Sequence, residues 1–214
     1  MVSLSQQAYQ QIRRMIIELR FEPGDVLRED ELKELLGLGR TPIREAIQRL
    51  TRDQFTTVIP RQGVFVAGID VSELSTLYET RAVLEPYAAR LAAVRGTEEH
   101  WVRMEELLAT ETNEPKAMLA VDRACHEIMW EAASNRFLVD TLDMLYAQSD
   151  RLWHMYLSDV TDMNTAVAEH STILDLLRTG DSDRAAKTVE DHVRSFDSQV
   201  RAAVTASLTS PLAT

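Results

Sequence analysis

The stretch from Gly37 to Arg52, GLGRTPIREAIQRLTR, decides how the N-terminal part of this chain folds. Thr41 followed by Pro42 predicts a helix start, because the Thr hydroxyl can cap free amides and Pro at the first helical position gives up no hydrogen bond. From there Ile43, Ala46, Ile47 and Leu50 recur at i, i+3, i+4 and i+7 and bury one face. Arg40, Thr41, Arg44 and Gln48 are left around the exposed N-terminal end, which is where a recognition helix meets base edges. Upstream, Glu31 to Leu36 reads as a short helix with Leu32, Leu35 and Leu36 inward, and Gly37-Leu38-Gly39 as the tight turn between the two. Taken alone, this pair is equally an amphipathic helical hairpin with solvated arginines.

The flanking sequence favours the DNA-binding reading. Thr56 to Ile59 and Val64 to Ala67 are short, β-branched and separated by Pro60-Arg61-Gln62-Gly63, so they predict a two-stranded hairpin after the helix pair. A helix-turn-helix followed by such a ribbon is a winged helix, with Arg61 and Gln62 at the wing tip. Before the pair, Ser5 is the expected cap of a scaffold helix through Leu19. Its stripe is Ala8, Ile12, Met15, Ile16 and Leu19, and Pro23-Gly24 closes the connection.

In order along the chain, EPGDVLRE, LGRTPIREAIQRL and IPRQGVFV resemble the DNA-binding domain of the GntR superfamily of bacterial transcription regulators. The resemblance implies that Arg40, Thr41, Arg44 and Gly63 stand where the family touches double-stranded operator DNA. Gln48 and Arg61 join them by position. The sequence departs from the family at Gly39, where a small hydroxyl residue is usual, and at Asp30, where a basic residue is frequent, although Arg28 lies close by.

The 214 residues allow one or two domains, and the net charge of −11 is unexpected for a DNA binder until the chain is divided. Residues 1–67 hold 10 Lys and Arg against 9 Asp and Glu, whereas residues 68–214 hold 13 against 25. The acidity therefore belongs to the second part. A nearly neutral reading head must gather its positive charge on one face and is expected to double it in a homodimer. The single cysteine, Cys125, excludes an internal disulfide and fits a reducing cytoplasm. No apolar run is long enough to span a membrane, and MVSLSQQAYQQ lacks the regions of a signal peptide. The expected location is the bacterial cytoplasm, at the nucleoid.

From Asp70 to about Ala206 the periodicity is helical. It is broken at Gly96-Thr97, Asn113-Glu114-Pro115, Ser134-Asn135, Ser158 to Thr161 and Gly180-Asp181, and the tail ASLTSPLAT is expected to fray. The expected fold is mostly α: a winged helix-turn-helix over 1–68 and an antiparallel bundle of six helices over 69–214. Gly68-Ile69-Asp70 is a short junction, which predicts two coupled domains.

Three of the five histidines fall on apolar helix faces: His126 in line with Leu119, Met129 and Ala133, His170 among Val167, Ile173, Leu174 and Leu177, and His192 among Ala185, Val189, Phe196 and Val200. Asp122 precedes His126 by one turn and leaves the same face. Singly, each histidine is a hydrogen-bonded core residue; jointly, three imidazoles and a carboxylate have a metal-site composition. Asp-x-x-x-His with one His in each of the last two helices also resembles the FCD domain of the FadR branch. For metal-binding members of that branch the resemblance implies a divalent ion, Zn, Ni or Mn, on Asp122, His126, His170 and His192. His100 and His154 match nothing and read as surface or packing residues.

Arg81 lies within the stripe Leu74, Leu77, Tyr78, Leu84, Ala88 and Leu91, so its guanidinium needs an anion. Glu85, one turn on, is one partner; the carboxylate of a bound small molecule is the other, and the family resemblance implies the latter. Arg151 is a weaker case of the same kind. The expectation is therefore a transcription regulator, taken as a repressor, whose operator affinity is set by a small organic acid at a metal-containing helical sensor. The alternatives are a metal-dependent enzyme using the His3Asp site, for which no general base is marked, and an acyl-CoA sensor, whose pocket needs no metal.

Overall fold

A computed structural model describes residues 2–110, 112, 114–156 and 163–209. Among these residues are nine α-helices and one two-stranded antiparallel sheet. The chain divides into two compact units, Met1–Asp70 and Val71–Thr214. No helix among the described residues is long and apolar enough to cross a membrane.

The first unit contains α1 (Leu4–Ile17), α2 (Glu29–Leu36), α3 (Arg40–Arg52), β1 (Thr56–Ile59) and β2 (Gly63–Val66). Ala8, Ile12 and Ile16 of α1 meet Ile43, Ala46 and Leu50 of α3 in a core closed by Leu32, Phe55 and Val66. Several local expectations are corrected. Ser3, not Ser5, caps α1: its extended backbone turns the Oγ onto the Gln6 amide at 3.1 Å, and the helix stops at Ile17, before Leu19 enters the left-handed region at φ 56°. Gly39 is the cap of α3 and Arg40 its first residue, which puts Pro42 third, still within the turn whose amides have no helical partner. No side chain caps α3. In the short α2 only Leu32 is fully buried, and Leu35 is 53% exposed. β2 begins and ends one residue earlier than its β-branched run suggests, pairing Ile59 with Gly63 and Thr56 with Val66. The turn from α2 to α3 passes through Gly37 at φ 64°, the left-handed close that favours glycine.

The second unit opens with a single 3-10 turn, Val71–Glu73, and continues through α4 (Leu74–Arg95), α5 (Glu98–Leu108), α6 (Pro115–Ala132), α7 (Arg136–Tyr156), α8 (Met163–Arg178) and α9 (Ser182–Thr209). Helix α4 packs against α6, α7, α8 and α9, so residues on its inward face reach every helix that carries a candidate ligand. The break at Gly96 has a steric cause: a Cβ there would lie 2.2 Å from the Trp101 ring. Thr97 and His100 then start α5 as a reciprocal capping pair, which gives His100 a structural task. His154 packs with Nδ1 3.1 Å from Asp150 Oδ1. The expected breaks at Asn113 and at Ser158 to Thr161, the Val167 side chain and the tail beyond Thr209 lie outside the described residues.

Candidate metal centre

Three helices bring the four sequence-predicted ligands together. Asp122 and His126 project from α6 one turn apart, His170 from α8 and His192 from α9. Each is at most 2% exposed, and one ligand atom from each lies within 4.8 Å of all the others. His126 Nε2 is 3.3 Å from His192 Nε2. Asp122 Oδ1 is 3.7 Å from His170 Nε2 and 3.6 Å from His192 Nε2, and Asp122 Oδ2 is 4.0 Å from His126 Nε2. Two ligands each about 2.1 Å from one ion stand about 3 to 3.4 Å apart when adjacent and about 4.2 Å apart when opposite. The separations given, 3.3 to 4.0 Å, lie within that range, so the cluster is of a size to hold one divalent cation.

The atoms behind the ligands decide what they offer. His126 Nδ1 lies 2.8 Å from Glu85 Oε2, and His192 Nδ1 lies 2.6 Å from Glu169 Oε2. A carboxylate facing Nδ1 favours the tautomer that keeps its proton there, and whenever such a ring is neutral its Nε2 is the lone pair. Tyr146 donates its hydroxyl to Asp122 Oδ2, leaving Oδ1 turned toward His170 and His192. Two lone pairs and a carboxylate oxygen thus converge in a buried space, an arrangement that repels itself unless a cation occupies it.

Titration reflects the same convergence. Burial opposes the charge of Asp122, yet the surrounding His192, His126 and His170 hold its carboxyl well below the usual range. Burial also acts to lower the pKa of His192, but Asp122 and Glu169 outweigh it and raise the ring to about 9. In the metal-free chain a proton therefore does the neutralising, and a metal must displace it.

Glu85, Glu169 and Tyr146 are functional neighbours that the sequence reading did not assign to this cluster. From the sequence, Glu85 is expected only as a partner for Arg81. Its second contact has a signal in retrospect, since it shares the buried face of α4. Glu169 directly precedes a ligand, and Tyr146 sits on a separate helix, so neither carries a spacing signal. Arg81, 3% exposed, gives its Nε to Glu85 Oε1 at 2.6 Å and stacks over Tyr146 at 4.8 Å. The anion that answers Arg81 in this structure is therefore Glu85, the first of the two partners left open. Arg151 is 1% exposed on α7, and burial lowers its pKa to about 10, so it stays cationic at neutral pH.

On the first unit, Arg40, Thr41, Arg44 and Gln48 are all exposed at one end and side of α3. Arg44 Nε meets both carboxylate oxygens of Glu29 at 2.9 Å, and Arg40 reaches Asp30 at 3.0 Å. The departure at Asp30 thus has a local role as the acid paired with Arg40. Arg61 turns at φ 65° and Gly63 at φ 128°, both exposed at the tip of the wing.

Residues 76–195 match the FCD domain, and residues 4–66 match the bacterial regulatory proteins of the gntR family. The chain belongs to the GntR family and carries an FCD domain. A GntR relative, the Nta operon transcriptional regulator of Aminobacter aminovorans, is 30% identical over 87% of this chain and 89% of its own. The HTH-type transcriptional repressor RspR of Escherichia coli is 26% identical over 92% of this chain and 89% of its own. In three dimensions, E. coli McbR/YncC matches with a TM-score of 0.84 over 94% of this chain and 99% of that one, at 20% identity, which speaks to the fold. The GntR relatives are transcription regulators and not enzymes, and this chain is a DNA-binding transcription regulator. The enzyme alternative is thereby set aside.

Proposed function

We propose that this GntR regulator is a cytoplasmic, dimeric repressor whose grip on its operator is set by a small organic acid bound at a metal centre in the FCD unit. The observation that carries the reading is the convergence of Asp122, His126, His170 and His192, all buried, on one space. These residues hold the divalent ion, Zn, Ni or Mn, and a bound ion there supplies a Lewis-acidic position for a carboxylate. Four protein ligands leave positions open on a six-coordinate ion, so the acid is recognised by completing the shell. Arg81 is committed to Glu85, which makes its contribution to recognition indirect; Arg151, a second buried cation, is assigned to the acid's far end on charge and burial alone.

On the DNA side, Arg40, Thr41, Arg44 and Gln48 enter the major groove, and Arg61 and Gly63 bring the wing to the backbone. Residues 1–68 are the reading head and 69–214 the sensing and dimerising part. A change at α4 passes into the wing through Gly68-Ile69-Asp70, the covalent connection between them.

The test combines elemental analysis with operator binding. Protein purified without chelator should carry about one divalent metal per chain, and one member of a panel of organic acids should change operator affinity about 5- to 150-fold only while the metal is present. A chain that neither retains nor rebinds metal overturns the proposal, and so does an acid response unaffected by metal removal.

A further inference from the structure

Glu85 is fully buried on α4 and is not one of the four converging ligands. Its two oxygens face different partners: Oε1 accepts from Arg81 Nε at 2.6 Å, and Oε2 stands 2.8 Å from His126 Nδ1. Carboxylate, guanidinium and imidazole thus form one chain of contacts that runs from α4 into the cluster. A matching contact reaches His192 from Glu169, whose side chain is 34% exposed.

We propose that Glu85 is a positioning residue of the metal centre: anchored by Arg81, it fixes His126 in the tautomer whose Nε2 lone pair faces the ion, while Glu169 does the same for His192. This rests on the metal reading above. The chemistry behind it is an inventory of donors and acceptors. A carboxylate offers two acceptors and so can satisfy Arg81 and the His126 Nδ1–H together. Arg81 is a donor only, never an acceptor. An amide in place of the carboxylate has one oxygen and one NH2. Arg81 takes the oxygen, the NH2 meets His126 Nδ1, and the ring must accept there. Its proton then sits on Nε2, the atom that has to coordinate. Glu85→Gln therefore keeps the size of the side chain and reverses the tautomer.

A purely structural Glu85, present only to neutralise Arg81, makes a different prediction. The same substitution would then lower stability and leave metal affinity and tautomer alone. The two roles separate in the full chain by titration with Co(II) against a competing chelator, together with ¹⁵N shifts of the imidazoles in the metal-free protein. Expected for Glu85→Gln are a Co(II) affinity about 10- to 100-fold below the wild-type chain, an altered Co(II) absorption spectrum, and a His126 proton on Nε2. Glu169→Gln, at a partly exposed position, should lose less.

Wild-type Co(II) affinity in a folded Glu85→Gln chain overturns the proposal and leaves the metal reading standing. A wild-type chain that binds no Co(II) overturns the metal reading, and this inference with it. Where Glu85→Gln does not fold, Glu169→Gln carries the test. Undiminished Co(II) affinity there overturns the proposal.

Discussion

Arginine–carboxylate pairs occur at both functional ends of this chain, and their surroundings differ. On the reading head, Arg44 is 59% exposed and its partner Glu29 34%; in the bundle, Arg81 is 3% exposed and Glu85 is fully buried. Water and salt screen the first pair, so its net worth is small and a phosphate or base edge can replace the carboxylate. No such exchange is open to the second pair, because separating two desolvated charges leaves each without compensation. The same kind of ion pair thus leaves the exposed arginine of α3 free to exchange partners in one unit and acts as a fixed strut in the other.

The strongest way to break this comparison is to remove one partner of the buried pair. Arg81→Ala should cost about 3–5 kcal/mol of stability, because Glu85 is left charged in the core, and urea unfolding of the metal-free protein measures it. A loss under about 1 kcal/mol would mean that water reaches Glu85. Next comes the cluster itself. With roughly 10–16 kcal/mol for a four-ligand structural ion, Asp122→Ala should remove about 3 kcal/mol, more than 100-fold in metal affinity, read by chelator competition. Retained affinity would place the ion elsewhere.

On the reading head the expected effects shift from stability to binding. Arg44→Ala should weaken specific operator binding by about 1–3 kcal/mol while the unfolding midpoint hardly moves, and Arg40→Ala should act in the same direction. Operator affinity unchanged in both variants would remove α3 from the groove. Smallest of all, Glu29→Gln should alter stability by no more than about 1 kcal/mol and leave operator affinity equal or higher, since it deletes a competitor for Arg44. A clear drop in operator affinity would instead make Glu29 a direct contact, for instance as an acceptor for a cytosine amino group.

What the sequence disclosed follows from how local each signal is. Ile43, Ala46, Ile47 and Leu50 declare the buried face of α3 through a period that needs no knowledge of the rest of the fold, and the structure buries all four. The four-residue step from Asp122 to His126 is legible for the same reason. His170 and His192 were found because imidazoles on apolar stripes are conspicuous. Their backing residues were not, because Glu169 and Tyr146 are ordinary for their helices and meet the cluster only by tertiary packing. The Ser3 and Gly39 caps were each missed because a hydroxyl nearby, Ser5 or Thr41, looked chemically better placed; backbone direction, which spacing does not report, decided otherwise.

The order of the cluster along the chain has a consequence for the timing of folding. The contact of Tyr146 with Asp122 spans 24 residues, that of His192 with Glu169 spans 23, and that of His126 with His192 spans 66. Closing a longer loop costs more entropy before any contact repays it, and non-local pairings form late. As the chain leaves the ribosome, the winged unit and α4 emerge well before α9, so His192 is the last member of the cluster to be made. The winged unit can thus complete its own core while the Asp122, His126, His170 and His192 cluster still lacks its last member, so the DNA-binding unit does not have to wait for the bundle.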